Sequence, residues 1–212
     1  MLIRSAAGGL EVLFLLRNPR LAFHGGYWVF PGGRIDPADA DPDAPGDQAA
    51  AARRAAVREA REEAGVEVDA ASLAFAVHWT TPAASPIRFA TWFFVATAPA
   101  GRITVDGGEI HAHQWLRPAD ALARQRAGEI KLAAPTFALT TRMTEFDDAG
   151  AALAAVAAWP AEWLLGDLRD AEGGQVALYH QDVAHGGGPL DQPGPRHRLW
   201  MVDSGWRYER AF

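Results

Sequence analysis

Apolar and polar positions alternate along this chain in a way that predicts its elements in turn. Leu10 to Arg17 is a strongly apolar run, entered through Gly8-Gly9, and reads as a buried strand. Met1 to Arg4 reads as a shorter one. Tyr27 to Phe30 is apolar and stops at Pro31-Gly32-Gly33, as a strand running into a tight loop does. Gln48 to Ala64 carries a helical pattern of small apolar residues beside charged ones. Asp47 stands at its N-cap and Gly65 where a left-handed C-cap needs glycine. Leu73 to Thr80, Phe89 to Thr97 and His111 to Leu116 read as further strands. Pro118 to Arg126, Ala134 to Glu145 and Ala149 to Ala158 read as helices, the first opened by a proline at N1. Strands around one long helix, with more helices downstream, fit an α/β fold: an α/β/α sandwich on a mixed sheet.

The segment 159–212 has a different texture. Gly- and Pro-rich stretches at 186–189 and 191–195 mark a loop. Arg196 to Val202 and Trp206 to Arg210 flank Asp203-Ser-Gly205, a hairpin signal, and Val176 to Tyr179 adds another strand. The expectation is a main domain over 1–158 and a small C-terminal β-rich appendage over 159–212. The appendage reads as a packing flap or a homodimer contact.

The chemistry lies in the long helix. At about 100° per residue, with Glu59 at zero, Glu62 falls near ~300° and Glu63 near ~40°. Three carboxylates share an arc of roughly 100°. Like charges this close repel, so the cluster calls for a cation. Hard oxygen ligands point to Mg²⁺ or Mn²⁺. Taken alone, Arg58 and Glu62 are also an ordinary i,i+4 pair on a solvated face.

Composition narrows the rest. The 212 residues are 49 % hydrophobic, enough for a sizeable core. The net charge of −6 argues against non-specific nucleic-acid binding. With no cysteine, disulfides and thiolate metal sites are excluded. No apolar run reaches a membrane span, and Met1-Leu-Ile-Arg-Ser has no secretory pattern, so the expectation is a cytoplasmic protein without a membrane partner.

Gly33 and the run Arg58-Glu-Ala-Arg-Glu-Glu-Ala-Gly-Val66 resemble a Nudix box, whose pattern is G-x5-E-x7-R-E-U-x-E-E-x-G-U with U apolar. Arg58, Glu59, Ala60, Glu62, Glu63, Gly65 and Val66 match its second half in order. The middle departs from it: Asp39 stands where the box has Glu, and the stretch from there to Arg58 is eleven residues too long. The excess has loop composition, and either Asp39 or Asp47 takes the place of the missing Glu. The resemblance implies a Nudix-type sandwich and hydrolysis of a nucleoside diphosphate linked to another moiety. It implies metal ligation by Glu59, Glu62, Glu63 and the Gly32 carbonyl, with Arg58 orienting the carboxylates. It also implies a role for Glu109, in the Gly107-Gly108-Glu109 loop six residues before Trp115, as metal ligand or general base. His111 and His113 share a strand face and read as polar surface rather than a metal pair.

Arg17, Gly26 and Phe30 keep a spacing similar to that of coenzyme A diphosphatases in this superfamily. The elongated box, Trp79-Thr-Thr-Pro82 and the strand Arg88 to Phe94 resemble the branch that contains a peroxisomal acyl-CoA diphosphatase. The second arginine of the CoA pattern falls on Ala22, with Arg20 close by. The expected substrate is therefore CoA or acyl-CoA, its 3′-phosphate read by Arg17 or Arg20. A nucleotide sugar, dinucleotide or damaged nucleotide is the alternative, and a non-catalytic nucleotide-binding domain is the second.

Overall fold

The computed structural model describes residues 1–212 except 84 and 86. Twelve strands and four α-helices are present among the described residues. They are β1 (Leu2–Ala6), β2 (Gly9–Arg17), β3 (Tyr27–Val29), α1 (Gln48–Ala64), β4 (Ala74–Thr80), β5 (Ala90–Thr97), β6 (Ile110–Leu116), α2 (Pro118–Arg126), β7 (Lys131–Leu132), α3 (Ala134–Met143), α4 (Ala149–Ala157), β8 (Trp163–Leu165), β9 (Asp167–Ala171), β10 (Gly174–Leu178), β11 (Arg196–Val202) and β12 (Arg207–Ala211).

Eight strands form a mixed sheet in the order β7-β3-β2-β1-β5-β4-β8, with β6 also on β2. Val12 pairs with both Ile3 and Leu116, and Leu15 with both Val29 and His113. A strand has two edges, so β1 and β3 share one edge of β2 and β6 takes the other. The sheet forks there, and the fork carries the end of β3 toward α1.

β2 explains why the chain reads as a continuous apolar run. Val12 and Phe14 face the layer of α2, α3 and α4, while Leu13 and Leu15 face the layer of α1. All four are fully buried, each contributing about 1.5–3 kcal/mol of transfer free energy. A strand covered on both faces shows no alternation. The small residues of α1, Ala52, Ala60 and Ala64, let the helix lie close against that face.

Both ends of α1 are capped as the sequence predicts. The Asp47 carboxylate accepts the Ala50 N–H at 2.9 Å. Gly65 adopts φ 66°, and its N–H returns to the carbonyls of Ala60 and Arg61. The insert 42–46 is exposed, tied down by a bridge between Asp41 and Ala44.

The C-terminal segment makes a separate four-stranded antiparallel sheet, β12-β11-β10-β9. It includes one strand that the sequence reading left out, β9. Its inner face joins the main core through Ala177, Tyr179 and Leu199, and Tyr179 packs edge-on against Trp79 with ring centroids 5.1 Å apart. β8, also beyond 158, pairs in parallel with β4 of the main sheet.

Candidate active site

The site forms where β3 ends, α1 presents its last two turns, and the loop before β6 comes alongside. Glu63 is 6 % exposed, and its Oε2 accepts the Gly32 N–H at 2.8 Å. Gly33 is a glycine for a steric reason: a Cβ there would lie 2.2 Å from Glu59 Oε1. The loop backbone thus lies directly on the carboxylate face of the helix.

Arg58 is the hub. Its Nη1 donates to Glu59 Oε1 at 2.8 Å and to Glu62 Oε2 at 3.0 Å. Its Nε and Nη2 donate to the two oxygens of Asp39 at 3.2 and 2.9 Å, and Nη2 also reaches the Arg34 carbonyl at 2.9 Å. The fork of the guanidinium matches a carboxylate bidentately. Between the two aspartates left open by the sequence, Asp39 is the one that meets Arg58, and Asp47 caps the helix. Asp39 is prepared for this by a short 3-10 turn over Pro37–Asp39, in which its Oδ2 accepts the Asp36 N–H at 2.8 Å. Arg54 donates to the Asp39 carbonyl from the side. Arg58 holds the Asp39 carboxyl below its ordinary range against the opposing effect of burial.

The helix carboxylates show the opposite behaviour. Burial pushes the Glu63 carboxyl up to about 7, against the Gly32 N–H, and the charges of Glu59 and Glu109 add to the rise. Burial also raises Glu59, against Arg58 and with the help of Glu62 and Glu109. Burial, with like charge adding to it, makes both carboxylates costly to ionise. Among the described residues, no three acidic or histidine side chains converge in metal-ligating geometry, because Glu59 and Glu62 both turn to Arg58. The donor chemistry still fits a hard divalent cation: a buried carboxylate at Glu63, a half-buried one at Glu59 and an exposed one at Glu62 crowd one helix face.

Glu109 comes to this cluster from the far side. Its Oε2 lies 3.8 Å from Arg17 Nη2. Hydrogen bonds hold its loop in place. The Asp106 carboxylate accepts the N–H groups of Gly108, Glu109 and Ile110 at 3.2, 2.8 and 2.9 Å. Asn18 donates its backbone N–H to the Glu109 carbonyl and its Nδ2 to the Gly108 carbonyl. Asp106 and Asn18, which hold this loop, were not among the residues expected from the sequence. The signal was an Asp-Gly-Gly turn, where an Asx side chain commonly bonds the backbone ahead of it.

Of the expected substrate-reading residues, Arg17 faces inward. Its charge acts on Glu63 and on His24. Arg20 is exposed on the β2–β3 loop. The other residues of that spacing have structural work: Gly26 takes φ 78° and donates its N–H to the Arg17 carbonyl, closing the loop. Phe30 is buried against Phe14. Beside Arg17 stands an aromatic stack absent from the sequence reading. Phe23 lies 4.0 Å from His24 and 4.8 Å from Phe89, and His24 lies 4.7 Å from Tyr27, measured between ring centroids. His111 and His113 are exposed on β6.

Comparison with known proteins agrees with this architecture. The family model of the NUDIX domain matches residues 1–136. The chain belongs to the Nudix family. A NUDIX hydrolase from Alicyclobacillus acidocaldarius superposes with a TM-score of 0.65 at 25 % identity, covering 75 % of this chain and 95 % of that one. The NUDIX domain of Shewanella oneidensis NrtR, solved with ADP ribose, shares the fold with a TM-score of 0.51 at 18 % identity, covering 68 % of this chain and 82 % of that one. No curated protein matches the chain. The protein is a hydrolase of the Nudix class. No helix among the described residues is long and apolar enough to cross a membrane.

Proposed function

We propose that this protein is a metal-dependent diphosphatase that cleaves a nucleoside diphosphate linked to a second moiety. The observation that carries the reading is the buried Glu63 carboxylate, which accepts the Gly32 N–H beside Glu59 and is raised by burial and by the charges of Glu59 and Glu109. Glu59, Glu62, Glu63 and the Gly32 carbonyl would hold Mg²⁺ or Mn²⁺. When bound, such an ion neutralises diphosphate charge and lowers the pKa of water. Arg58 keeps Glu59 and Glu62 in place and is itself anchored by Asp39. Glu109, braced by Asp106, faces the same space and suits a general base or a further ligand.

CoA or an acyl-CoA is the first substrate proposed, on the spacing of Arg17, Gly26 and Phe30. Since Arg17 leans toward Glu109 and Glu63, exposed Arg20 is the better reader of a 3′-phosphate. A second reading, an ADP-ribose-like or dinucleotide substrate, is favoured by the stack at Phe23 and Phe89, which offers a base an apolar surface beside the carboxylates and needs no 3′-phosphate.

A panel of CoA, dephospho-CoA, ADP-ribose and dinucleotides, with Mg²⁺ or Mn²⁺ and products resolved by mass, tests this. CoA should give 3′,5′-ADP and 4′-phosphopantetheine, and Arg20→Glu should hurt CoA far more than dephospho-CoA. Equal kcat/KM across the panel would discard CoA and leave the broader reading. Activity that persists in EDTA would sink the metal mechanism itself.

A further inference from the structure

On the face of the main sheet opposite α1, a cavity of about 230 Å³ opens between the end of α3, the segment after α4, and β12. It is lined by Arg142, Trp159, Tyr208 and Arg210, with Glu145 among the lining residues. Arg142 is 8 % exposed. Its guanidinium carbon sits 3.1 Å from the centre of the Trp159 ring, and its one hydrogen bond among the described residues is a long one, Nη1 to Glu162 Oε2 at 3.3 Å. The other oxygen of Glu162 is taken by Arg210 Nη2 at 2.7 Å. One buried carboxylate therefore serves two guanidiniums. The hydroxyl of Tyr208 is engaged with His197 Nε2 at 2.7 Å and does not supply the difference. Exposed Glu145 makes no ion pair with either arginine among the described residues.

Arg142 is little exposed and its one carboxylate partner among the described residues, Glu162, is shared with Arg210, so the pair of guanidiniums carries one positive charge more than that carboxylate neutralises. The planar fork of Arg142, with one face on an indole, leaves its Nε and Nη2 edge for two oxygens of a single anion. Burial and the neighbouring Arg210 pull the Arg142 pKa down to about 10, in keeping with a charge that is under-compensated. The cavity falls below the roughly 300–1,000 Å³ of pockets for drug-sized ligands, a size that suits a ligand smaller than a nucleotide.

We infer that this cavity is a second binding site, for a small oxyanion carrying a carboxylate or phosphate group, held by Arg142 and Arg210 at the junction of the Nudix domain and the C-terminal sheet. It is independent of the hydrolytic site, which lies across the sheet. An anion there would tie α3 to β12 and stabilise the packing of the two sheets.

The test uses the full chain in EDTA, so that no divalent ion recruits anions to the carboxylate site. Inorganic phosphate and succinate are titrated at constant ionic strength, following the Arg142 Nε–H and Trp159 indole signals by NMR and the thermal midpoint. Saturable shifts of both signals are expected with at least one anion. The midpoint should rise by about 3–6 °C at roughly ten times Kd. Phosphate alone would assign a phosphoryl ligand, and succinate alone a carboxylate. Arg210→Gln, which keeps the Arg142–Glu162 pair, should weaken binding roughly ten- to hundredfold; Arg142→Met should abolish it if the variant folds. Unshifted Arg142 and Trp159 signals with both anions, or undiminished affinity in Arg210→Gln, would overturn the proposal.

Discussion

Glu63 Oε2 accepts the backbone N–H of Gly32 at 2.8 Å across 31 residues of chain. This contact joins the end of β3 to the last turns of α1 and buries a carboxylate that solvent would otherwise stabilise. Gln at position 63 can still accept that N–H through its amide oxygen, so Glu63→Gln should fold normally. It should lose about three orders of magnitude in kcat, the scale expected when ~4 kcal/mol of metal-assisted stabilisation is removed. Steady-state kinetics with Mg²⁺ and Mn²⁺, alongside a melting curve, measure both. Near-normal turnover would remove Glu63 from the mechanism.

Asp39 and Asp47 make a matched pair of controls. Asp39→Ala strips Arg58 of its bidentate partner, and should lower stability by roughly 1–3 kcal/mol because a buried hydrogen-bonded charge loses its partner. It should also lower kcat, since Arg58 would no longer hold Glu59 and Glu62 in place. Asp47→Ala removes only an N-cap and should cost about 1 kcal/mol with kcat unchanged. Chemical denaturation and initial rates on the two variants decide this. Equal kinetic effects would mean that Asp39 has no special part in positioning.

Gly33→Ala tests the close approach of the loop to the helix. The new Cβ would meet the end of the Glu59 side chain, which is able to swing away. The midpoint of thermal unfolding should therefore move little, while kcat/KM falls by about a hundredfold, the usual scale for an ångström of misplacement. A large stability loss with wild-type kinetics per folded molecule would contradict it.

The C-terminal sheet should be acid-labile. His197 is buried with Nδ1 on Gln181 and Nε2 on Tyr208, and burial, with nearby Arg210 adding, pulls its pKa down to about 3. The unfolded chain binds that proton near 6.5, so the native state is penalised progressively as pH falls from about 6.5 toward 3. Asp182 adds a second loss lower down. Burial would raise its carboxyl, but Arg198 and the N–H groups of Ala184 and His197 outweigh this and hold it below 3.8. That stability is present above the unfolded value and disappears as pH falls through the folded one. Thermal midpoints measured from pH 7 to pH 3 should fall across this window. In His197→Gln the upper part of the slope should flatten. A midpoint independent of pH between 6.5 and 4 would be incompatible with a neutral buried His197.

Patterns confined to a few turns of chain were legible in the amino-acid sequence. α1 begins and ends where Asp47 and Gly65 predict, because caps are local hydrogen bonds. The acidic arc of Glu59, Glu62 and Glu63 follows from helical geometry, and β2 from an unbroken apolar run. What remained open depended on residues far apart in sequence. Only the folded chain decides that Arg58 chooses Asp39, since the intervening insert leaves the spacing uninformative. The same holds for Asp106 and Asn18 bracing Glu109, for Arg17 turning inward, and for Glu162 being shared by Arg142, 20 residues before it, and Arg210, 48 residues after it. β8 and β9 were too short and irregular to carry a period, and β8 owes its place to pairing with β4. Local preferences set where elements start and stop; the assignment of charged groups to one another is a property of packing, where burial makes each unpaired charge costly and selects the partner within reach.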